Sequence, residues 1–127
     1  LLSKALSEKL KLGDLGSTFG GGQLACAALV ATLTEIESKK LMQNAINIEH
    51  TLRAVLKHPT IKSIRGRGAL IGIELRMQAK EIHLALLEAG YITGTCANPF
   101  VLRLLPPLTI SQSDLVSFSD HLLSILD

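Results

Sequence analysis

The apolar residues change their spacing along this chain, and this change constrains the fold more than any other feature. In residues 41–57 they recur every three or four positions, as at Ile48 and Leu52, which predicts an amphipathic helix. His58-Pro59 follows, and a proline ends a helix. Residues 69–75 are instead a run of branched residues, ALIGIEL, which is typical of a strand. The chain therefore combines helices and strands in succession.

The other segments complete this order. Ser111 and Asp114 match a capping box at the start of a last helix, and Gly90 is suited to end the helix before it. Three or four strands with helices packed on one face form a two-layer α+β domain, and a long helix precedes it. The predicted helices are residues 1–11, 23–40, 41–57, 78–89 and a last one opened by Ser111, and the predicted strands are residues 61–65, 69–75, 91–93 and 100–104.

Composition limits the classes of function. The chain has 127 residues, 47% of them hydrophobic, and a mean hydropathy of +0.36, which allows one domain with a core and excludes disorder. Aromatic residues make up only 3%, so the core must come from Leu, Ile, Val and Ala. A net charge of +2, without a basic stripe, gives no reason to expect a nucleic-acid partner.

The cysteines and one uncharged stretch bear on location. Cys26 and Cys96 are far apart in sequence, so we expect both to be reduced, small core residues of a cytoplasmic protein. Residues 15–34 carry no charge, but only residues 24–33 are densely apolar, about half the length of a membrane span. We therefore expect a buried helix there and no membrane partner.

A glycine-rich run, Gly-Ser-Thr-Phe-Gly-Gly-Gly, occupies residues 16–22 just ahead of the predicted long helix. Glycines expose backbone N–H groups, Ser17 and Thr18 add hydroxyls, and the N-terminus of a helix attracts anions. The segment can therefore hold a phosphate, or it can be a flexible turn before a buried helix. The chemistry of the residues leaves both interpretations open.

Arg103 lies in the otherwise apolar strand VLRLLPP, residues 101–107. A guanidinium in such surroundings must reach solvent or find a partner, and its planar fork suits a carboxylate. The alternatives are a ligand-binding arginine and an edge arginine bonded to a local carbonyl or acid. Both remain open at this point.

Two other patterns favour no site. Residues 66–72 have the spacing Gly-Arg-Gly-x-x-x-Gly, but a predicted strand follows rather than a helix, so a turn between paired strands fits better than a dinucleotide loop. The histidines also lack the spacing of metal ligands, so no metal is expected. They are His50, His58, His83 and His121.

Three segments together carry a family resemblance. Residues 16–28 resemble the GSTFGGNPLACAA stretch of the class III pyridoxal-phosphate aminotransferases, residues 64–75 resemble their VRGRGLMIGIEL element, and residues 102–110 their LRLLPPLTI element. The order and spacing agree, and the resemblance points to the acetylornithine and ornithine aminotransferase group. The chain departs from the family pattern at Leu15, where His is frequent, and at Gly22-Gln23, where Asn-Pro is frequent.

The resemblance implies a position in the fold type I architecture. Residues 1–22 would end the large domain and include the loop that contacts phosphate. Residues 23–58 would form the long linking helix and a second helix. Residues 59–127 would form the C-terminal small α+β domain, with a short, mainly antiparallel sheet.

The resemblance also implies roles for three residues. Arg103 matches the arginine that binds the substrate α-carboxylate. Thr18 matches the threonine that contacts the phosphate of pyridoxal 5'-phosphate bound in the partner subunit, and Ser17 lies beside it. The implied enzyme is a homodimer that acts on amino acids and 2-oxo acids. It would move an amino group from N-acetylornithine or a related ω-amine to 2-oxoglutarate, a step of arginine biosynthesis.

The lysine that such enzymes bond to the cofactor is implied to lie upstream of this segment. Lys4, Lys9 and Lys11 do not match it, so no catalytic residue is assigned in this chain. We therefore expect the isolated chain to be inactive, as the C-terminal portion of such an enzyme. The alternative is a non-catalytic binding or dimerisation module derived from the same fold.

Overall fold

The computed structural model describes residues 3–11 and 13–127. The chain divides into two compact units, Leu1–Glu35 and Ile36–Asp127. The predicted helix at residues 1–11 begins outside the described residues, and its described part contains the short helix α1, Lys4–Ser7. The functional boundaries after residues 22 and 58 remain predictions.

The long helix α2, Gln23–Ser38, has the predicted position but not the predicted burial. No residue of α2 is buried, and the Leu24 side chain is 85% exposed. The expectation of a buried helix was wrong because the four-residue α1 offers little apolar surface to cover it. Cys26 is exposed on the same helix, so it is not the small core residue that we expected.

The second unit is built on a four-stranded antiparallel sheet with the order β1-β2-β4-β3. Its strands are β1 Ile61–Arg67, β2 Leu70–Leu75, β3 Gly94–Thr95 and β4 Val101–Leu104. The remaining helices are α3 Leu41–Val55, α4 Ala79–Glu88 and α5 Gln112–Leu126. This arrangement confirms the predicted α+β class.

One face of the sheet carries the core. Ile71, Ile73 and Leu75 alternate along β2, and Leu102 and Leu104 oppose them from β4. All five are buried, and they pack in one cluster with buried residues of all three helices. Because alternate residues of a strand point to opposite faces, the helices cover this face. The intervening residues Gly72, Glu74 and Arg103 lie on the other face.

The strand predicted at residues 91–93 was misplaced, because the sheet pairing begins only at Gly94. Gly90, with φ +88°, ends α4, and the Tyr91 N–H donates to the Leu86 carbonyl at 2.8 Å. The Tyr91 ring then packs edge-on against Phe118, with ring centres 5.4 Å apart. The chain thus runs along the helices before it joins the sheet. Cys96 follows β3 in a loop and is exposed, which corrects the expectation of a core thiol.

The first two strands form a tight hairpin, which confirms the turn predicted around Gly66 and Gly68. Arg67 pairs with Leu70, so only two residues connect the strands, and both glycines have positive φ, +111° at Gly66 and +57° at Gly68. L-residues avoid this conformation, and glycine adopts it readily.

Two side chains of α3 hold this hairpin. Arg53 donates to the carbonyls of Ile64 at 2.7 Å and Gly66 at 3.0 Å. Glu49 accepts from the Gly68 N–H at 2.8 Å and from Arg53 Nε at 3.0 Å. The ends of β1 and β2 are thereby fixed to the helix.

The predicted cap of the last helix is also confirmed. The Ser111 Oγ accepts from the Asp114 N–H at 3.1 Å. This contact satisfies one of the free N–H groups at the start of α5. It also fixes the point at which the chain leaves the sheet for the helical layer.

Candidate functional site

The glycine-rich loop at residues 16–22 is an exposed turn that leads into α2. The Ser17 Oγ accepts from the Gly20 N–H at 3.2 Å, so Ser17 shapes the turn. Gly21 has φ +77°, and the Gly22 carbonyl accepts from the Cys26 N–H at 3.0 Å, which begins the helix. The loop is therefore tied to the start of α2 by its own contacts.

Thr18 is exposed in the same turn. Within residues 3–11 and 13–127, no side chain or carbonyl exchanges a hydrogen bond with its hydroxyl. A free hydroxyl in a loop that leads into a helix, whose N-terminus is the positive end of the helix dipole, is suited to an anionic ligand such as a phosphate. The two hydroxyls thus differ, since Ser17 holds the loop and Thr18 is available.

The second unit places four residues in one row across the sheet. Arg65 on β1 pairs with Gly72 on β2, Gly72 with Arg103 on β4, and Arg103 with Gly94 on β3. Directly paired residues of antiparallel strands project to the same side. The row therefore lies on the face of the sheet that the helices do not cover, with an arginine, a glycine, an arginine and a glycine in turn.

The Arg103 guanidinium lies over Gly94. A methyl group placed on Gly94 would be 3.1 Å from Arg103 Nη2 and 3.2 Å from Nε. In the part of the chain that the structure describes, Arg103 makes no ion pair and no side-chain hydrogen bond. β4 is an inner strand, so the interpretation of Arg103 as an edge arginine bonded to a local carbonyl or acid was wrong.

The acid nearest in the sheet pattern, Glu74, is occupied by other partners. Its carboxylate accepts hydrogen bonds from Lys62 Nζ at 2.7 Å and from Ser63 Oγ at 3.0 Å, and it forms an ion pair with Arg65 Nη2 at 3.2 Å. The hydrogen bond from Lys62, followed by that from Ser63, holds the pKa of the Glu74 carboxyl below its usual range. Glu74 therefore stays ionised, and its single negative charge is already shared by two cations, Lys62 and Arg65. The charge of Arg103 has no acidic partner among the described residues.

A depression of about 410 Å³ lies along three residues of this row. Arg65, Gly72 and Arg103 line it together with Cys96 and Asn98 from the loop after β3. A depression with an unpaired guanidinium suits a small carboxylate, which an arginine can bind through two parallel hydrogen bonds.

A cavity of about 530 Å³ lies elsewhere in the second unit, between α5 and the segment that follows β4. It is lined mostly by apolar residues such as Ile92, Leu105 and Phe118, with Asp114 as its charged group. Its size alone does not make it the functional site, because it brings no cluster of polar groups together.

The described residues contain no group of three or more His, Cys, Asp or Glu side chains that could hold a metal ion. In the same residues, no helix is both long and apolar enough to cross a membrane.

The structure thus places the predicted site residues in two units, Ser17 and Thr18 in the first and Arg103 in the second. Sequence reasoning missed Gly94 and Gly72. Their position beside Arg103 could have been inferred from strand register, because each pairs directly with Arg103. The misplacement of the strand at residues 91–93 concealed the pairing of Gly94.

Comparison with known proteins finds relatives over almost the whole chain. The family described as aminotransferase class-III matches residues 1–126. The chain is 41% identical over 125 residues to the acetylornithine aminotransferase of Mycobacterium leprae, a match that covers 95% of this chain and 31% of the relative. It is 41% identical over 106 residues to the ornithine aminotransferase of Halalkalibacterium halodurans, which covers 81% of this chain and 26% of the relative.

Solved structures agree with this result. The ornithine aminotransferase of Toxoplasma gondii superimposes with a TM-score of 0.77 at 32% identity, over 94% of this chain and 31% of that structure. The acetylornithine aminotransferase of Elizabethkingia anophelis superimposes with a TM-score of 0.78 at 29% identity, over 93% of this chain and 33% of that structure. The chain spans about a third of the length of the proteins that it matches.

Proposed function

The chain belongs to the class III aminotransferase family, and on this premise we propose that it is the C-terminal portion of an enzyme that transfers an amino group from N-acetylornithine or a related ω-amine to 2-oxoglutarate. The support for the donor is that the relatives are named acetylornithine and ornithine aminotransferases. A location in the cytoplasm and a place in arginine biosynthesis belong to the same proposal.

Arg103 carries this proposal. Its role is to bind the α-carboxylate that amino acid and 2-oxo acid substrates share. The supporting observation is a guanidinium without a partner among the described residues, on an open sheet face where Glu74 is already engaged by Lys62 and Arg65. The ligand would supply the missing negative charge, and the planar fork would fix the direction of its carboxylate.

Ser17 and Thr18 fit the cofactor of this family, pyridoxal 5'-phosphate. The cofactor supplies a carbonyl that takes up the amino group and an electron-withdrawing ring. Thr18 would donate its free hydroxyl to the phosphate, and Ser17, through its contact with the Gly20 N–H, would keep the loop in place. In this proposal the phosphate belongs to the cofactor of the partner subunit, so each copy completes the other's site.

The proposed homodimer has further support in the first unit. Four apolar residues of α2 have more than half of their surface exposed, which is unusual for a helix of this composition in a soluble protein. They are Leu24, Leu29, Val30 and Leu33. Light scattering of the full-length enzyme tests this part of the proposal, and a monomer at micromolar concentration would contradict it.

The isolated chain is proposed to lack activity, because none of its lysines matches the residue that bonds the cofactor. After incubation with pyridoxal 5'-phosphate and reduction with borohydride, we expect no stoichiometric label on the chain. A single lysine labelled in full would contradict this.

The central experiment replaces Arg103 in the full-length enzyme. Arg103→Ala should raise the KM of donors and acceptors that bear an α-carboxylate by about 10- to 100-fold, the worth of hydrogen bonds to a charged group. Arg103→Lys should recover only part of the loss, since it keeps the charge without the fork. An amine that lacks a carboxylate serves as the control substrate, and its KM should stay unchanged. Equal kinetics of Arg103→Ala and wild type with every carboxylate substrate would remove Arg103 from the site.

The role of Thr18 is tested by cofactor retention rather than by activity. Thr18→Val keeps the shape and removes the hydroxyl, so it should weaken binding of pyridoxal 5'-phosphate by about 1–3 kcal/mol. Thr32→Val is a matched control, because the Thr32 hydroxyl donates to the Ala28 carbonyl within α2 at 2.8 Å. Retention after dialysis, followed by absorbance, should fall in the first variant only.

The alternative is a non-catalytic binding or dimerisation module derived from the same fold. The exposed apolar face of α2 supports this alternative as well as the homodimeric enzyme. The same Arg103 experiment separates the two, because a module without chemistry has no carboxylate-dependent turnover to lose.

A further inference from the structure

Gly94 is a glycine whose backbone does not require glycine. Gly66, Gly68 and Gly90 have positive φ, but Gly94 does not, so an L-residue could adopt its conformation. The feature that distinguishes Gly94 is the space above it. A Cβ there would come into tight contact with the Arg103 side chain, at 3.1 Å from Nη2, 3.2 Å from Nε and 3.5 Å from Cζ.

The register explains why this contact forms. Gly94 and Arg103 are direct partners between β3 and β4, and direct partners in antiparallel strands have neighbouring side chains on one face. Any side chain at position 94 would therefore compete with the guanidinium for the same volume.

Gly72, on the other side of Arg103, differs in what it faces. A methyl group there would meet Val101 Cγ1 at 3.2 Å and not the guanidinium. The two glycines are therefore not equivalent. Gly94 provides the surface on which the guanidinium lies, whereas the Val101 side chain lies against Gly72.

We propose that Gly94 is a positioning residue, which sets the plane of the Arg103 guanidinium so that its fork faces the open depression. This inference rests on the proposed role of Arg103 as the carboxylate-binding residue. Two parallel hydrogen bonds to a carboxylate require the guanidinium and the ligand to be nearly coplanar. A shift of a few tenths of an ångström at the fork therefore weakens recognition.

The fold itself should tolerate a methyl group at this position. The atoms that it would approach belong to the far end of a flexible side chain, which can turn aside without moving the backbone. Gly94→Ala thus separates the orientation of the guanidinium from the stability of the sheet.

The experiment compares Gly94→Ala, Arg103→Ala and the double variant in the full-length enzyme. The free energy needed to turn an arginine off its preferred rotamer corresponds to roughly a 2- to 10-fold loss of affinity for its ligand. We therefore expect Gly94→Ala to raise the KM of an amino donor with an α-carboxylate by about 3- to 10-fold, with kcat nearly unchanged. The KM of an amine without a carboxylate should not change, and neither should the midpoint of unfolding in urea.

Thr95→Ala is the matched control. Thr95 lies on the same two-residue strand and is exposed, and its side chain projects to the opposite face from that of residue 94. This variant should keep wild-type KM values for both donors. The double variant should be no worse than Arg103→Ala alone, because Gly94 acts only through the guanidinium.

The outcomes separate this inference from the function on which it rests. If Arg103→Ala loses carboxylate binding and Gly94→Ala does not, the positioning role is overturned and the role of Arg103 stands. An equal rise of KM for both donors in Gly94→Ala would also overturn it, since that pattern indicates a general structural defect. If Arg103→Ala itself has no carboxylate-dependent effect, the proposed function fails, and the positioning role fails with it.

Discussion

The two glycines of the hairpin between β1 and β2 should respond very differently to the same substitution. They stand two residues apart, and both have positive φ, +111° at Gly66 and +57° at Gly68. A Cβ on Gly66 would lie 2.0 Å from the Leu70 carbonyl oxygen, whereas a Cβ on Gly68 would meet its nearest atom, Ala45 Cβ, at 3.4 Å. The first contact is impossible without a backbone shift, and the second is close to ordinary van der Waals contact.

The magnitudes follow from these contacts. At Gly68 an alanine meets only the cost of the left-handed conformation, about 1 kcal/mol. At Gly66 a similar backbone cost of roughly 1–2 kcal/mol is joined by the loss of neighbouring ladder hydrogen bonds, at about 1 kcal/mol each. Two such bonds bring the total for Gly66→Ala to about 3–4 kcal/mol. The two variants should therefore differ by at least about 2 kcal/mol.

Urea unfolding of the 127-residue chain, followed by circular dichroism, measures this difference. With a slope of about 1–3 kcal/mol per molar urea, the midpoints of the two variants should be separated by roughly 1 M. Gly68→Ala serves as the internal control for the effect of a methyl group in the turn. Equal destabilisation, or a larger loss in Gly68→Ala, would refute the reasoning, because it would mean that the overlap with Leu70 does not decide the cost.

Three further measurements test other contacts. The hydrogen bond from the Gly68 N–H, and next the hydrogen bond from Arg53, lower the pKa of the Glu49 carboxyl. The stabilisation that ionised Glu49 contributes is therefore present above the unfolded pKa and is lost as pH falls through the lower folded pKa. Glu49→Gln should reduce this acid dependence of the free energy of unfolding, and an unchanged pH profile would contradict the prediction. Ser111→Ala should lower stability by about 1 kcal/mol, with Ser111→Asp restoring most of it in thermal unfolding. Alkylation of Cys96 in the full-length enzyme, with Cys26 replaced by Ser, should slow when a carboxylate substrate is bound at Arg103, and an unprotected rate would place the substrate elsewhere.

Most of the second unit could be predicted from the sequence because its local signals agree with its packing. The helical spacing around Ile48 and Leu52, the branched run of β2 and the cap at Ser111 each specify one conformation, and the buried core uses the same residues. The misplacement of β3 has a physical cause. Two residues contain too little pattern to mark a strand, and the preceding segment is governed by the packing of Tyr91 on Phe118.

In the first unit, the sequence predicts the helix α2 but not its exposure. The small and apolar residues of α2 indicate a covered helix, and periodicity correctly predicts that it is a helix. Burial depends on what lies beside a helix, and this is not encoded in its own sequence. Cys26 was misjudged for the same reason.

For the candidate site, local chemistry drew attention to Arg103 in an apolar strand and to the hydroxyls of the glycine-rich loop, but it left their roles open. The roles assigned to Arg103 and Thr18 came from the family resemblance and remain predictions. The surroundings of Arg103 were not predictable in this way. The nearby acid Glu74 is engaged by Lys62 and Arg65, and this engagement depends on the pairing of β1 with β2.

The shortness of β3 links the recognition of a ligand to local order. Two register pairs, Gly94 with Arg103 and Thr95 with Leu102, attach this strand to the sheet, and a segment with so few hydrogen bonds opens at a small fraction of the cost of global unfolding. Each opening removes the support beneath the guanidinium while the rest of the domain stays folded. A carboxylate that binds the supported guanidinium would therefore slow amide exchange in β3. Substitutions that loosen the attachment of β3 to β4 would weaken the affinity for that carboxylate without contacting it.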